Sequence, residues 1–414
     1  MAKRKSAKKI RLGSRAVAVI AAALIIALAA AALYGWFAWG KTPAETFGYI
    51  WSFIKGDGAS DTGSNGSYTS QIFDDSTVQT VSDGDFSIHF LELGNRYTGD
   101  CIYIKAGDND ILIDAGSKTS SIPAIKSYLD TYVTDGVLEY VIATHAHEDH
   151  IAGFAGSESN PSLFRSYECE VIIDFPKTDS SSRIYARYVE ERELEVEEGA
   201  EHYTALECYN NENGAQRTYV LGEDTEMTFL YNYFYEHGAP SENDYSVCTL
   251  FTHNGKNYLF TGDLENEGSE KGEENLVKYN DLPVCELYKA GHHGSKTSSS
   301  SALLEVIRPK IICVCCCAGN DEYTDTAENQ FPTQDFIDRV SAYTDAVYVT
   351  SLGDVNFLEG DDKDSRFGSF NGTIIALDDG GEDIKMFFSN NSLKLKETEW
   401  FSAMRRMPAA WAAG

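Results

Sequence analysis

The sequence contains little positive charge. Its 414 residues include 34 Lys and Arg against 64 Asp and Glu, which gives a formal net charge of −30. Seven of the 34 basic residues lie within the first 15 positions, so the rest of the chain is more acidic still. An acidic body repels polyanions and argues against broad, electrostatically driven DNA binding, although a local basic groove or bound metal ions could still accept a phosphodiester.

The sequence also lacks paired Cys-x-x-Cys clusters and internal repeats. Its nine cysteines are an odd number, so no disulfide framework follows from them. Four of them lie in the apolar run at 311–318, at Cys313, Cys315, Cys316 and Cys317. This run predicts a core strand that uses Cys as a small apolar residue, in preference to a soft-metal site.

One long apolar run is present, at residues 16–39. Its 24 residues follow a basic N-terminus and, as a helix, would exceed the ~30 Å hydrocarbon core of a bilayer. We therefore expect a basic cytoplasmic N-terminus at 1–15, a transmembrane anchor at 16–39 and an exported remainder, in contact with membrane lipid only through this helix. The alternative is a cleaved signal peptide and a secreted protein, which the length of the run disfavours.

The remaining chain divides into three parts. We predict a linker at residues 40–82, because much of this stretch is rich in Gly, Ser, Asp and Thr. We predict one large folded domain at residues 83–390 and a C-terminal tail with one amphipathic helix at residues 391–414. In the domain, strand-like runs near 86–113 end in Leu112-Ile113-Asp114-Ala115-Gly116, so Asp114 is expected directly after a buried strand.

The densest group of chemically active residues follows the next predicted strand. Residues 144–150 read Thr-His-Ala-His-Glu-Asp-His and contain three histidines and two carboxylates. His145 and His147 alternate, so they can face one cation, while Asp149 and His150 can turn toward a second. A solvated polar loop is the alternative, but three histidines at a strand end have no packing rationale.

Two further motifs stand at predicted strand ends later in the chain. A hairpin with its turn at Asn254-Gly255 ends in Phe260-Thr261-Gly262-Asp263, and a later run continues into Gly291-His292-His293-Gly294-Ser295-Lys296. Glycines beside the paired histidines allow close approach of backbone and imidazole to a ligand.

Taken in order, these motifs resemble those of metallo-β-lactamase-fold hydrolases. The likeness covers roughly residues 84–390. It is closest to the exported domain of ComEC-type DNA-uptake proteins and more distant to choline-phosphate esterases of bacterial surfaces. It implies an α+β, four-layer αββα sandwich, preceded here by the one membrane helix.

The resemblance also implies the site and its cofactors, two divalent cations, Zn²⁺ or Mn²⁺. His145, His147 and Asp263 would hold the first cation, and Asp149, His150, Asp263 and one of His292 or His293, with His293 favoured, would hold the second. Asp149, His292 and Asp114 would serve catalysis, Asp114 by supporting the histidine loop and His292 by contacting phosphate or protonating the leaving group. The residues expected to bind substrate are Ser295, Lys296, Asn243 and Ser246.

One departure from the family concerns the first cation. Lactamases and glyoxalases place a further ligand histidine before the bridging carboxylate, and the candidates here are His202, His237 and His253. None lies in a convincing motif, so water or the 243–246 turn would complete the coordination.

These expectations favour a membrane-anchored, extracytoplasmic phosphodiesterase or nuclease that uses a metal-bridging hydroxide. Its substrate would be a phosphoester, such as DNA or a cell-surface polymer, and no protein partner is inferred. A β-lactam, carboxyl-ester or amide hydrolase of the same fold is one alternative. A non-catalytic, metal-stabilised surface domain is the other.

Overall fold

Two β-sheets form the framework of the described part of the chain, which in the computed structural model comprises residues 70–357 and 368–412. The strands are β1 (Ser70–Ile72), β2 (Phe86–Phe90), β3 (Ile102–Ala106), β4 (Asn109–Ile113), β5 (Val137–Ile142), β6 (Glu168–Asp174), β7 (Glu201–Thr204), β8 (Thr218–Gly222), β9 (Thr225–Phe229), β10 (Thr249–His253), β11 (Lys256–Phe260), β12 (Leu287–Lys289), β13 (Ile311–Ala318), β14 (Val347–Leu352), β15 (Ile374–Asp378) and β16 (Lys385–Phe388). The α-helices are α1 (Asp75–Ser82), α2 (Ile122–Tyr132), α3 (Glu148–Ala155), α4 (Arg183–Glu198), α5 (Ala205–Asn210), α6 (Gly272–Tyr279), α7 (Ser301–Ile307), α8 (Gln334–Val340), α9 (Glu399–Met404) and α10 (Ala409–Ala412).

Each sheet has an antiparallel part and a parallel part. The nine-stranded sheet has the order β1-β16-β15-β2-β3-β4-β5-β6-β7 and becomes parallel from β4 to β7. The seven-stranded sheet has the order β14-β13-β12-β11-β10-β9-β8 and is parallel from β11 to β14. The parallel strands of each sheet therefore bring their carboxyl ends to a common edge.

The two sheets pack face to face through aromatic side chains. Phe86 and Phe90 on β2 meet Phe251 and Phe260 of the other sheet, with ring centroids 6.3 and 6.4 Å apart. Side chains of a strand alternate between its faces, so Phe86 and Phe90 point inward and His89 points outward. On that outer side the His89 ring lies 2.7 Å from the Tyr128 hydroxyl of α2.

The seven-stranded sheet is covered in the same way by helices α6, α7 and α8. Leu259 and Ile312 face outward and form a second buried cluster with Leu276, Leu303 and Ile337 of these helices. Helices thus lie outside both sheets, and the α+β architecture predicted from the motifs is confirmed.

The ordered domain extends beyond both boundaries expected from the sequence. Strand β1 pairs with β16 and helix α1 follows it, so the stretch assigned to the linker already contributes structure from residue 70. At the other end Trp400 and Trp411 are buried against the second sheet's helices and strands. The C-terminal segment expected as a tail is therefore part of the domain, because its apolar side chains pack into the second hydrophobic cluster.

The predicted membrane anchor at 16–39 lies outside the described residues. Within the described ranges, none of the helices has the length and apolarity needed to cross a bilayer.

Strand β13 contains the cysteine-rich run. All eight of its residues are buried and its four cysteines are free thiols, which confirms the predicted core strand. Burial raises the pKa of Cys313 above the range of a solvent-exposed thiol. These thiols are thus core side chains that remain protonated at neutral pH.

Candidate metal centre

The chemically active motifs lie at the carboxyl ends of parallel strands in both sheets. Asp114 follows β4 and the 144–150 loop follows β5, while Asp263 follows β11 and the His292-His293 pair follows β12. Because the two sheets pack against each other, these four segments meet at one edge. Ligand sites of α/β proteins commonly form outside the carboxyl ends of strands.

Asp114 organises the histidine loop. Its Oδ1 accepts a hydrogen bond from the Thr144 amide and its Oδ2 accepts one from the Thr144 hydroxyl, both at 2.7 Å. The same Oδ2 lies 2.7 Å from His150 Nδ1. Both carboxylate oxygens are thus engaged by the loop, so Asp114 positions His150 and does not face a cation directly, as is usual for partners of metal-binding histidines.

Four buried side chains converge beside this loop: Asp149, His150, Asp263 and His293. His150 Nε2 lies 3.1 Å and His293 Nε2 lies 3.2 Å from Asp263 Oδ2. His293 Nε2 is also 3.4 Å from Asp149 Oδ2. Two imidazole nitrogens and two carboxylate oxygens therefore surround one small space.

His293 is oriented by the backbone of β13. Its Nδ1 lies 2.8 Å from the carbonyl oxygen of Cys315, which directs Nε2 toward the carboxylates. Both His292 and His293 have left-handed backbone torsions, with φ of 44° and 54°. Such strained conformations concentrate at functional sites. His293 Nε2 is buried and makes no well-aligned hydrogen bond, although two carboxylate oxygens lie within 3.4 Å of it, an arrangement that fits a metal-ligating nitrogen.

His145 and His147 place two more nitrogens beside the cluster. His145 Nε2 and His147 Nδ1 are 3.0 Å apart, and the His145 ring lies 4.1 Å from the His150 ring. Burial, reinforced by His150 and His147, holds the pKa of His145 well below its usual value. A neutral imidazole keeps its nitrogen lone pair available to a metal.

The protonation of the cluster also fits a cation site. Burial opposes charge on His150 and His293, but the Asp263 carboxylate and its neighbours outweigh burial and raise both pKa values. The carboxylates thus favour positive charge at this position, which a divalent cation would supply. Imidazole nitrogens with carboxylate oxygens are a donor set that suits Zn²⁺ or Mn²⁺.

The comparison with family models adds to this geometry. Residues 94–161 match the model of the metallo-beta-lactamase superfamily, a stretch that contains Asp114 and the whole histidine loop. Over that stretch the chain is similar to the metallo-beta-lactamase superfamily. Asp263 and His293, which complete the cluster, come from the part of the domain that follows the match.

The domain is also similar to one curated protein, "Recombination protein 2" of Haemophilus influenzae. The two are 30% identical over 145 residues, which is 33% of this chain. The aligned part is 17% of the length of that protein. The match supports the ComEC-like subgroup that the motifs indicate.

Solved structures include similar folds at low identity. YhfI of Bacillus subtilis, a metallo-β-lactamase fold protein, is 13% identical with a TM-score of 0.37, over 64% of this chain and 95% of its own. Zn²⁺-bound PqqB of Methylobacterium extorquens is 12% identical with a TM-score of 0.32, over 56% of this chain and 89% of its own.

Two residues that the motifs did not single out, Asp100 and Lys289, lie beside this cluster. The Lys289 ammonium group is 1% exposed and contacts an Asp100 carboxylate oxygen, Asp263 Oδ1 at 3.3 Å and the Gly262 carbonyl at 3.0 Å. Asp100, Asp114 and His150 also form a group with metal-ligand spacing. Because Lys289 lies on Asp100 and the hydrogen bonds from Thr144 and His150 engage both oxygens of Asp114, we assign cation binding to the other cluster.

His292 lies beside the cluster in a different environment from His293. Its Nδ1 is 3.1 Å from both Thr297 Oγ1 and Glu265 Oε1, and its Nε2 is 3.5 Å from the Asn243 amide nitrogen. Its side chain is 20% exposed, whereas that of His293 is fully buried. The structure thus brings His293 into the cluster and leaves His292 at its solvent side.

The other residues expected to bind substrate have separate surroundings. Ser246 Oγ accepts a hydrogen bond from the Asp263 amide at 3.0 Å and lies 3.4 Å from His145 Nδ1. Ser295 Oγ is 2.9 Å from Thr297 Oγ1. The exposed Lys296 ammonium contacts Asn329 at 3.0 Å. Ser246 therefore supports Asp263 and His145, and Lys296 is engaged outside the cluster.

The three candidates for an extra ligand histidine have partners elsewhere. His202 Nε2 lies 3.0 Å from Asp174, and His237 stacks on Tyr233. His253 Nδ1 lies 2.7 Å from the Thr225 hydroxyl, and its ring stacks on Phe86. Their contacts are those of structural residues, as the sequence favoured.

Asp244, next to Asn243, gives a pH-dependent prediction. Burial raises its pKa to about 7, and Glu265 and Glu273 add to the shift. The folded protein therefore holds this proton more tightly than the unfolded chain. The stabilising contribution of protonated Asp244 is fully present below about pH 4 and is lost as the pH rises toward 7. Asp244→Asn keeps the acceptor for the Glu265 amide without the charge.

We expect the stability advantage of Asp244→Asn over wild type to grow by roughly 2–3 kcal/mol between pH 5 and pH 8. Urea unfolding in the presence of EDTA measures it. The exposed Asp281→Asn is the control, and an advantage that does not change with pH would contradict the prediction.

Proposed function

We propose that this protein is a binuclear metal-dependent phosphodiesterase or nuclease. The observation that carries the proposal is the buried cluster of Asp149, His150, Asp263 and His293, with His145 and His147 beside it. Divalent cations bound there would activate water and neutralise charge on a phosphoryl oxygen, so the reaction would need no protein nucleophile.

The protein's own residues would divide the remaining work. Asp263 Oδ2, which faces both His150 and His293, would bridge the two cations. His292 is partly exposed and held by Glu265, so it can contact a phosphoryl oxygen or give a proton to the leaving group. Asn243 stands 3.5 Å from His292 and can donate to the same substrate.

The phosphodiester as substrate rests on two supports. The ComEC-like motifs and the similarity to Recombination protein 2 favour it. The described histidines that could complete a lactamase-type first site are engaged elsewhere, which disfavours a β-lactam. DNA and phosphate-containing cell-surface polymers are the two substrate classes we favour.

The proposal includes a location. The apolar run at 16–39 would anchor the protein in the membrane by one helix and place the catalytic domain on the extracytoplasmic side. A substrate outside the cell, or at its surface, is consistent with this placement.

Hydrolysis of bis-p-nitrophenyl phosphate tests the function. We expect the full-length protein, purified in detergent and loaded with Mn²⁺ or Zn²⁺, to release p-nitrophenol. The His147→Ala/Asp149→Ala variant should release none above background. Two bound metals without turnover of the diester would contradict the proposal, and nitrocefin turnover would point to a lactamase instead.

A further inference from the structure

Tyr323 connects an exposed loop to the metal cluster. It lies between β13 and α8, and its residue is 52% exposed. Its hydroxyl nevertheless donates a hydrogen bond to Asp149 Oδ2 at 2.6 Å, the oxygen that also faces His293. Tyr323 therefore spans the distance from the protein surface to a carboxylate of the cluster.

The loop that carries Tyr323 is fastened at its neighbouring residue. Glu322 binds the Lys118 ammonium at 2.9 Å and accepts a hydrogen bond from the Thr98 amide at 3.3 Å. The Asn320 amide group donates to the Arg96 carbonyl. Contacts to the segment before β3 and to Lys118 after β4 thus hold the loop, so Tyr323 lies beside the cluster before any substrate arrives.

Phe331 forms an apolar wall at the same position. Its ring centroid lies 5.8 Å from that of Tyr323, 5.5 Å from that of His292 and 5.8 Å from that of His293. One aromatic ring therefore borders the buried cluster, the exposed histidine and the exposed tyrosine. A flat, apolar part of a substrate bound at the cluster would pack against this ring.

We propose that Tyr323 and Phe331 bind the substrate of this site, which rests on the proposed hydrolysis of phosphodiesters. With a cation on the Asp149 carboxylate, the Tyr323 hydroxyl would turn from Asp149 Oδ2 and donate its single hydrogen bond to a non-bridging phosphoryl oxygen. Phe331 receives a planar substituent of the diester, the role a nucleobase or aryl group would fill. The preferred substrate class is therefore a phosphodiester that carries an aromatic group, either directly on the phosphate, as in an aryl diester, or beyond the sugar, as in a nucleotide.

Binding of inorganic phosphate tests the tyrosine without turnover. Titration calorimetry on the full-length, Zn²⁺-loaded protein should give a phosphate affinity that falls roughly 10- to 100-fold in Tyr323→Phe, the usual loss for one hydrogen bond to a charged group. Metal content should stay at the wild-type level. Tyr279→Phe, another half-exposed tyrosine on α6, is the control and should bind phosphate as wild type does.

A pair of diesters tests the phenylalanine. Bis-p-nitrophenyl phosphate and methyl p-nitrophenyl phosphate share a leaving group and differ in the retained substituent. Phe331→Leu should raise KM for the first about 3- to 10-fold and leave KM for the second unchanged.

Wild-type phosphate affinity in Tyr323→Phe would overturn the proposed role of Tyr323, and so would loss of metal, which would make it only a support for Asp149. An equal change in KM for both diesters would overturn the role of Phe331. If the wild-type protein binds metal and phosphate but cleaves neither diester, the proposed function is wrong. The difference in phosphate affinity between wild type and Tyr323→Phe still tests the role of Tyr323 in that case.

Discussion

Asp263→Asn is expected to abolish hydrolysis and to lower the metal content of the protein. The two carboxylate oxygens of Asp263 have different tasks, because Oδ2 faces His150 and His293 and Oδ1 contacts the Lys289 ammonium. An amide can satisfy only one side. If the oxygen of the new asparagine faces Lys289, its NH₂ group faces the cation site and repels a metal ion. If the oxygen faces the cation site, the NH₂ group faces the buried Lys289 ammonium.

The expected loss in kcat/KM is roughly 1000-fold or more, since the cations supply several kcal/mol of transition-state stabilisation. Metal analysis after dialysis and p-nitrophenol release measure the two effects. Asp108→Asn, an exposed turn residue, is the matched control. Full metal content with near wild-type turnover in Asp263→Asn would show that this carboxylate does not bridge the cations.

Lys289→Met is expected to destabilise the metal-free domain by about 3–5 kcal/mol, the range for breaking one partner out of a buried ion pair. Burial by itself would lower the pKa of Lys289, but Asp100 and Asp263 outweigh it and raise that pKa. The ammonium is therefore charged. Methionine has a similar length and no charge, so the substitution leaves the buried carboxylates of Asp100 and Asp263 without the ammonium group that pairs with them.

A second substitution separates charge from packing. Asp100→Asn in the Lys289→Met background removes one of the stranded charges, so it should recover part of the lost stability. Denaturant unfolding in EDTA measures all four members of the cycle. If Lys289→Met unfolds at the wild-type denaturant concentration, or if Asp100→Asn adds a further full loss, the two residues do not form an energetically coupled pair.

The sequence predicted those parts of the site that are local in the chain. The histidine loop, Asp114, Asp263 and the His292-His293 pair each stand directly after a run with strand character, and the structure has strands there. The Asn254-Gly255 turn of β10 and β11 and the buried cysteine strand β13 were predictable for the same reason. In each case neighbouring residues determine the backbone.

The boundaries were less predictable. Strand β1 is only three residues long, and its composition resembles that of a linker. It is a strand because β16, from the far end of the chain, pairs with it. The C-terminal segment reads as an amphipathic tail, yet Trp400 and Trp411 pack into the second core. Both depend on surfaces that are created only when the sheets have formed.

By itself, the sequence determined the order and spacing of the metal-binding motifs, because alternation along a strand and the turn after it are local properties. The resemblance already favoured His293 over His292, and the tertiary structure gives the physical reason, since the Cys315 carbonyl orients the His293 ring into the cluster. Tertiary structure alone brought Lys289 to Asp100 and Tyr323 to Asp149. These pairs come from distant strands and loops, and only packing of the two sheets against each other makes them neighbours.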